Sequence, residues 1–288
     1  MNIAEDVMDV LSSGGLDVRM KILGSTGKKK KGETSGDIDI AVETSYEDAD
    51  EAIKILDEHY GPDLEINKLK AYGIVSVGVP YTSIEDKKKT AQVDLMFTHN
   101  MDFCEFMNWS PDYKNDESEF KGLYRTNLIE KCASHVDLGL IKHIIEDMID
   151  LPEGFSVNPE KDEDGNVKSF WGLALDHSKG LKLHHYTMEG VSGKRLSHPR
   201  KLEGDSVFVT DNPDEIINLC IGSTADRDTV STFEKLVDYL TSGESDRFRT
   251  QEELDKLFLD YQEDPRHTKD INDIVSIDHY ISKGMEKW

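Results

Sequence analysis

The stretch Gly24-Ser25, followed by Gly36-Asp37-Ile38-Asp39-Ile40, decides the fold of the N-terminal part of the chain. Its second half alternates carboxylates with isoleucines, and in an extended strand successive side chains point to opposite faces. The two carboxylates would therefore share one face, while the two isoleucines are buried on the other. Neighbouring carboxylates repel each other unless a cation lies between them. Hard divalent ions such as magnesium prefer oxygen ligands, so the alternation predicts a metal site.

The ordinary alternative is an edge strand whose polar face is solvated. Two further features favour the metal site over that alternative. The Gly24-Ser25 turn upstream suggests that the metal arrives with phosphate. A third carboxylate, Asp94, lies downstream in the apolar run from Ala91 to Phe97, which is typical of a strand.

These three parts, in this order, resemble the nucleotidyltransferases of the polymerase-beta superfamily. Their signature is a Gly-Ser pair, a spacer of about ten residues, two aspartates flanking one apolar residue, and a third carboxylate from a later strand. The resemblance covers roughly the first half of the chain. It implies an α/β (α+β) nucleotidyltransferase fold, in which a mixed sheet is flanked by helices.

The resemblance also implies a role for each residue. Asp37 and Asp39 would hold two Mg²⁺ ions, and Asp94 would share one ion and help to deprotonate an acceptor hydroxyl. Ser25 and backbone N–H groups near Gly24 would hold the terminal phosphates of a nucleoside triphosphate, with ATP as the expected nucleotide. The chemistry implied is two-metal in-line displacement with release of pyrophosphate.

Cationic side chains recur near these motifs. Lysines occupy 28–31 and 87–89. They either attract phosphate to the site or lie in loops that are simply solvated. Lys121 and Arg125 are spaced to share one face of a predicted helix over 120–134. They would contact the triphosphate or the acceptor, arginine being suited to bidentate phosphate contact. The alternative is a solvated helix face.

Composition limits the classes of partner. The chain has 288 residues and a net charge of -24, which argues against non-specific duplex binding but leaves room for a local basic path. Its three cysteines show no metal-site spacing and are expected to be free thiols. The N-terminal sequence lacks the pattern of a signal peptide, and no apolar run approaches membrane-spanning length. A cytoplasmic protein without membrane contact is expected, and its oligomeric state is open.

Two domains are predicted, a nucleotidyltransferase catalytic domain over 1–150 and a C-terminal accessory or acceptor domain over 151–288. The boundary lies in the polar stretch 153–168. The second domain is expected to be smaller, mixed α/β, and to end in helices. Its segment 179–201 is rich in lysine and arginine, so it either contacts an anionic acceptor or docks on an acidic surface of the same protein.

The sequence thus predicts an enzyme that moves NMP from an NTP to an acceptor hydroxyl. An RNA 3′ end is the preferred acceptor because of the basic segment 179–201, and a small molecule or a protein side chain is the alternative. Two non-enzymatic functions stay open. One is nucleotide binding for regulation without turnover, and the other is an interaction protein whose acidity imitates nucleic acid.

Overall fold

The computed structural model describes residues 2–24, 37–69, 73–82, 88–108, 118, 120, 122–187, 200–264, 271–286 and 288, without the side chains of 200–205 and 271–273. Several residues singled out in the sequence lie outside this described part: Ser25, the lysines at 28–31, Lys87 and Lys121.

Two compact units make up the chain, Met1–Glu117 and Ser118–Trp288. The structure therefore groups the helices of residues 122–148 with the second unit, whereas the sequence placed the domain boundary at 150/151. Each unit has its own sheet.

The first unit contains three helices and five strands among its described residues, together with two short 3₁₀ turns at Tyr46–Asp48 and Gly61–Asp63. In chain order these helices and strands are α1 (Ile3–Ser13), β1 (Met20–Leu23), β2 (Ile38–Glu43), α2 (Ala49–Tyr60), β3 (Glu65–Leu69), β4 (Ile74–Thr82), β5 (Lys88–Thr98) and α3 (Met101–Asn108).

The first sheet has the strand order β1-β2-β5-β4-β3. Its central pair, β2 and β5, is parallel, and the remaining neighbours are antiparallel. A mixed sheet with helices confirms the predicted α/β class. The parallel pair requires a long crossover between its strands, and α2, β3 and β4 supply it.

The strands bury alternate residues on the two faces of this sheet. One face carries branched side chains such as Ile40, Val77 and Leu95, which belong to a core shared with Leu11 of α1 and Leu56 of α2. On the opposite face a smaller apolar cluster joins Leu23 and Ala41 to Met101 and Cys104 of α3. Because side chains alternate, Asp39 lies on the same face of β2 as Ala41.

Helix α3 begins a stretch, 101–116, whose aromatic-rich sequence predicts a connection between elements rather than a helix. Two side chains bond its first N–H groups: Glu43 Oε1 accepts from Met101 N at 3.2 Å, and Asn100 Oδ1 accepts from Phe103 N at 3.1 Å. Phe103 and Phe106 are buried, which agrees with packing rather than base stacking. The aromatics at 109 and 113 lie outside the described residues.

The second unit contains an antiparallel sheet of four strands in the order β6-β7-β8-β9. Its strands are β6 (Glu160–Lys161), β7 (Val167–Asp176), β8 (Gly180–Thr187) and β9 (Arg200–Thr210). The helices are α4 (Gly122–His135), α5 (Leu138–Met148), α6 (Pro213–Cys220), α7 (Phe233–Leu240), α8 (Gln251–Gln262) and α9 (Ile271–Met285). A capping box begins α8, where the side chains of Thr250 and Glu253 each accept a hydrogen bond from the other's backbone N–H.

Across the described segments, every helix is too short or too polar to cross a membrane. The cysteines at 104, 132 and 220 are buried and are not joined by disulfides. Burial raises the pKa of the Cys104 and Cys220 thiols to about 12.

Candidate metal centre

Three carboxylates come together on the first sheet. Asp37 immediately precedes β2, Asp39 lies within β2, and Asp94 lies in the middle of β5. One oxygen from each carboxylate can be chosen so that all three lie within 4.8 Å of one another. Asp37 is exposed, and the other two are half-buried.

The parallel pairing of β2 with β5 produces this cluster. In its register Asp39 is the direct partner of Asp94, and paired residues project from the same face of a sheet. Asp37 precedes Asp39 by two residues and so joins the same face if the extended conformation continues. The sequence predicted that Asp37 and Asp39 share a face; the structure adds that β5 lies beside β2.

Gly24 ends β1 against the Asp39 carboxylate. Its φ is +60°, a left-handed conformation that favours glycine. A Cβ at this position would lie only 1.8 Å from Asp39 Oδ2 and 2.9 Å from Cγ. Leu23, the preceding residue, pairs with Asp39 across β1 and β2. A glycine is therefore required both by the backbone and by the room that the carboxylate needs.

The electrostatics of Asp39 are unfavourable in the protein alone. Burial, together with the negative charges of Asp37 and Asp94, raises the pKa of its carboxyl from 3.8 to about 6. A carboxylate that is both half-buried and beside two others is destabilised in its ionised form. A bound cation would remove this repulsion, and the ionised carboxylate would then be favoured.

Two side chains hold the Asp94 carboxylate. Ser76 Oγ, on the neighbouring strand β4, donates to Asp94 Oδ1 at 2.6 Å. Gln92 Nε2 donates to Oδ1 at 3.1 Å and to Oδ2 at 3.2 Å. Since Ser76 pairs directly with Asp94 across the two strands, register brings them together.

Neither Ser76 nor Gln92 was identified from the sequence. Gln92 precedes Asp94 by two residues in an apolar strand, so the alternation of polar and apolar positions is a signal that could have found it. Ser76 carries no comparable local signal, because its role depends on which strand lies next to β5.

Arg125 has a different setting from the one expected. It lies on α4 in the second unit, is fully buried, and its Nε donates to the Val230 carbonyl at 2.7 Å. The alternative of a solvated helix face is therefore wrong for this residue, and its contact with a triphosphate stays a prediction. Lys88 and Lys89 are exposed and begin β5, rather than lying in the turn before it.

The donor set fits a hard divalent cation. All three groups are carboxylates, which offer the oxygen ligands that Mg²⁺ and Mn²⁺ take, and their oxygens are already close enough to approach one ion. The raised pKa of Asp39 comes from burial and from the two neighbouring negative charges, and a bound cation would offset both. The residues present thus suit the predicted metal.

No protein-family model matches the sequence, and no curated protein is detectably similar to it.

Proposed function

We propose that this chain is a metal-dependent nucleotidyltransferase that moves NMP from a nucleoside triphosphate to an acceptor hydroxyl. The observation that carries the proposal is the meeting of Asp37, Asp39 and Asp94, with Gly24 packed against Asp39. The Asp39 carboxylate is half-buried beside two like charges, and a bound cation would relieve this unfavourable arrangement. The sequence order of the glycine and the three acids matches that of the polymerase-beta superfamily, which supports this fold and chemistry for the first unit.

In the proposed reaction the acceptor oxygen attacks the α-phosphorus, the bond from that phosphorus to the bridging oxygen breaks, and pyrophosphate leaves. Divalent ions, when bound, would supply charge neutralisation on the triphosphate and at the attacking oxygen. Asp37 and Asp39 would hold these ions, and Asp94 would hold one of them and receive the hydroxyl proton.

Neighbouring residues orient the Asp94 carboxylate and leave room for the Asp39 carboxylate. Ser76 and Gln92 donate hydrogen bonds to Asp94 and so fix the direction in which its oxygens point. Gly24, lacking a side chain, leaves the Asp39 carboxylate room to face the cluster. The phosphate-binding role of Ser25 and of backbone groups near Gly24 belongs to the proposal by resemblance.

For the acceptor we favour an RNA 3′ end, on the basis of the basic sequence 179–201. The net charge of -24 restricts such contact to a local path, because the rest of the surface repels a phosphate backbone. The alternative acceptor is a small molecule or a protein side chain. The experiment below distinguishes these acceptors from RNA.

Pyrophosphate release with Mg²⁺ from each of the four NTPs, with and without total RNA, tests the function. The parent protein is compared with Asp39→Asn and with the control Asp57→Asn, which removes the same charge from an exposed position on α2. We expect release from the parent and the control, and a loss of about a hundredfold or more for Asp39→Asn.

Release that requires RNA would identify an RNA acceptor, and release without RNA would identify water or a copurified acceptor. Equal rates for Asp39→Asn and the parent would contradict the proposal. Tight binding of Mg²⁺ and NTP without any release, across RNA, hydroxyl-bearing small molecules and protein acceptors, would favour the regulatory function instead.

A further inference from the structure

A cavity lies within the second unit, beside its sheet. Its volume is about 470 Å³, and it is enclosed by the start of β7, by His185 of β8, by Ser206 and Val207 of β9, and by the loop over 152–160. Pockets of roughly 300–1,000 Å³ are typical of small-ligand sites. The cavity is therefore large enough for a nucleoside.

A stacked aromatic pair forms part of its wall. Trp171 and His185 are direct partners on β7 and β8, and their ring centroids are 4.8 Å apart with an angle of 22° between the planes. Both residues line the cavity and are half-buried. Flat conjugated surfaces of this kind bind other planar rings, with about 1–3 kcal/mol per stacked base.

The neighbouring pair on the other face of the same strands is arranged differently. Phe170 and Tyr186 stack at 5.1 Å and lean over Gly172, where an added Cβ would meet Tyr186 Cε2 at 3.3 Å. These rings fill the hollow left by the glycine. Phe170 also lines the cavity, together with Trp171 and His185, whereas Tyr186 is not among its lining residues.

The polar groups of the cavity favour an amine over a phosphate. Glu153 and Glu160 contribute carboxylates, and no lysine or arginine occurs among its described lining residues. Glu160 is held in place, because Ser169 Oγ donates to its Oε2 at 2.9 Å and Lys168 Nζ lies 3.6 Å from its Oε1. Glu153 is exposed at the rim and forms no ion pair with the described residues.

We propose that this cavity binds a nucleobase that carries an exocyclic amine, with the ring against Trp171 and His185 and the amine donating to a carboxylate at the rim. Any phosphate attached to the nucleoside is expected to stay outside the cavity, because the described lining offers the Glu153 carboxylate and no lysine or arginine. The base arrives either as a free nucleoside or as part of a single strand. The inference does not depend on the metal centre of the first unit.

The test titrates the full chain with adenosine and with inosine, whose ring has an oxygen in place of the amine, and follows heat and tryptophan fluorescence. EDTA is present throughout, so that the metal centre of the first unit takes no part. We expect adenosine to bind at least about tenfold more tightly than inosine, because in inosine a carbonyl oxygen takes the place of the amine and is repelled by the carboxylate. AMP is expected to bind more weakly than adenosine.

Two variants locate the ligand. Glu153→Gln, at an exposed position, is expected to reduce the preference for adenosine over inosine, and Trp171→Leu to weaken adenosine binding about tenfold. Phe208→Ala is the matched control, because it removes an exposed aromatic side chain on β9 that does not line the cavity. Circular dichroism of each variant shows that it has folded.

Equal affinity for adenosine and inosine, or no binding of either, would overturn the proposal. So would unchanged adenosine binding in folded Glu153→Gln and Trp171→Leu. Comparing adenosine with short oligo(A) and oligo(U) strands then distinguishes the two sources of the base. Tighter binding of oligo(A) than of both adenosine and oligo(U) assigns a strand, and binding of adenosine alone assigns a free nucleoside.

Discussion

Ser76 on β4 donates a hydrogen bond to Oδ1 of Asp94 on β5, over 2.6 Å. Ser76 is not one of the three clustered carboxylates, but its hydrogen bond orients one of them, Asp94. Groups that orient metal-binding side chains in this way typically change metal affinity by about 10–100-fold when removed. The relationship makes Ser76 a positioning residue in the proposed reaction.

The first prediction concerns this bond. Ser76→Ala is expected to raise the Mn²⁺ dissociation constant about tenfold, because Asp94 loses the donor that fixes its orientation. Isothermal titration with Mn²⁺ alone measures it. Ser76→Thr keeps a hydroxyl on the same strand face and should restore much of the affinity. If the alanine variant bound Mn²⁺ as tightly as the parent, Ser76 would have no positioning role.

The second prediction concerns Asp39 and metal. Without metal, Asp39→Asn is expected to raise the melting temperature, because a half-buried charge beside two like charges is removed. With Mg²⁺ or Mn²⁺ the parent should gain stability and the variant should gain much less. Thermal unfolding with and without metal checks both expectations, and Asp57→Asn is the control. A metal-induced gain of equal size in parent and Asn variant would count against the site.

The third prediction follows from the pKa of the same carboxyl. Its ordinary value is 3.8 and its value in the folded protein is about 6. Between these two pH values the folded state keeps a proton that the unfolded state has released. The contribution of Asp39 to stability therefore falls as pH rises from about 4 to about 6, and stays at its low value above that range.

Chemical denaturation of the metal-free protein at several pH values measures this contribution as the difference between parent and Asp39→Asn. The difference is expected to grow across this window to at most about 3 kcal/mol, with the Asn variant the more stable at neutral pH. A difference that does not change between pH 4 and pH 7 would show that the carboxyl is not perturbed.

The fourth prediction separates the two roles of Gly24. Gly24→Ala places a methyl group on the Asp39 carboxylate and forces it to move. Gly15→Ala is a matched control, because Gly15 also has a positive φ, +110°, but nothing lies within 4 Å of an added Cβ. Both variants should lose about 1 kcal/mol of stability from the left-handed backbone. Only Gly24→Ala should also weaken Mn²⁺ binding, and equal Mn²⁺ affinity in the two variants would refute a role for the close approach.

Local patterns were sufficient to predict much of the first unit. The alternation around Asp37 and Asp39 and the apolar run containing Asp94 identified β2 and β5, because strand periodicity is visible within a few residues. The order of the strands in the sheet, in contrast, is not encoded in any local stretch of sequence. The parallel partnership of Asp39 with Asp94 and the antiparallel partnership of Asp94 with Ser76 depend on the register of three strands, which no single segment encodes.

Helix α4 illustrates a second limit. Its consecutive residues Tyr124, Arg125 and Thr126 are all buried, so the helix is covered on several sides. An interpretation that assigns one solvated and one buried face fails for such a helix, and it misjudged Arg125. Helix α3 was missed for a related reason, since a short segment with many buried positions has little periodicity to detect.

The parallel pairing of β2 with β5 also has a consequence during synthesis of the chain. Asp39 cannot meet Asp94 until the crossover through α2, β3 and β4 has been made and folded back on the sheet. A growing polypeptide that has not yet reached Asp94 lacks the third carboxylate altogether. Cation capture at these three carboxylates would therefore mark a first unit that has completed its sheet, and a chain halted earlier would leave the ion in solution.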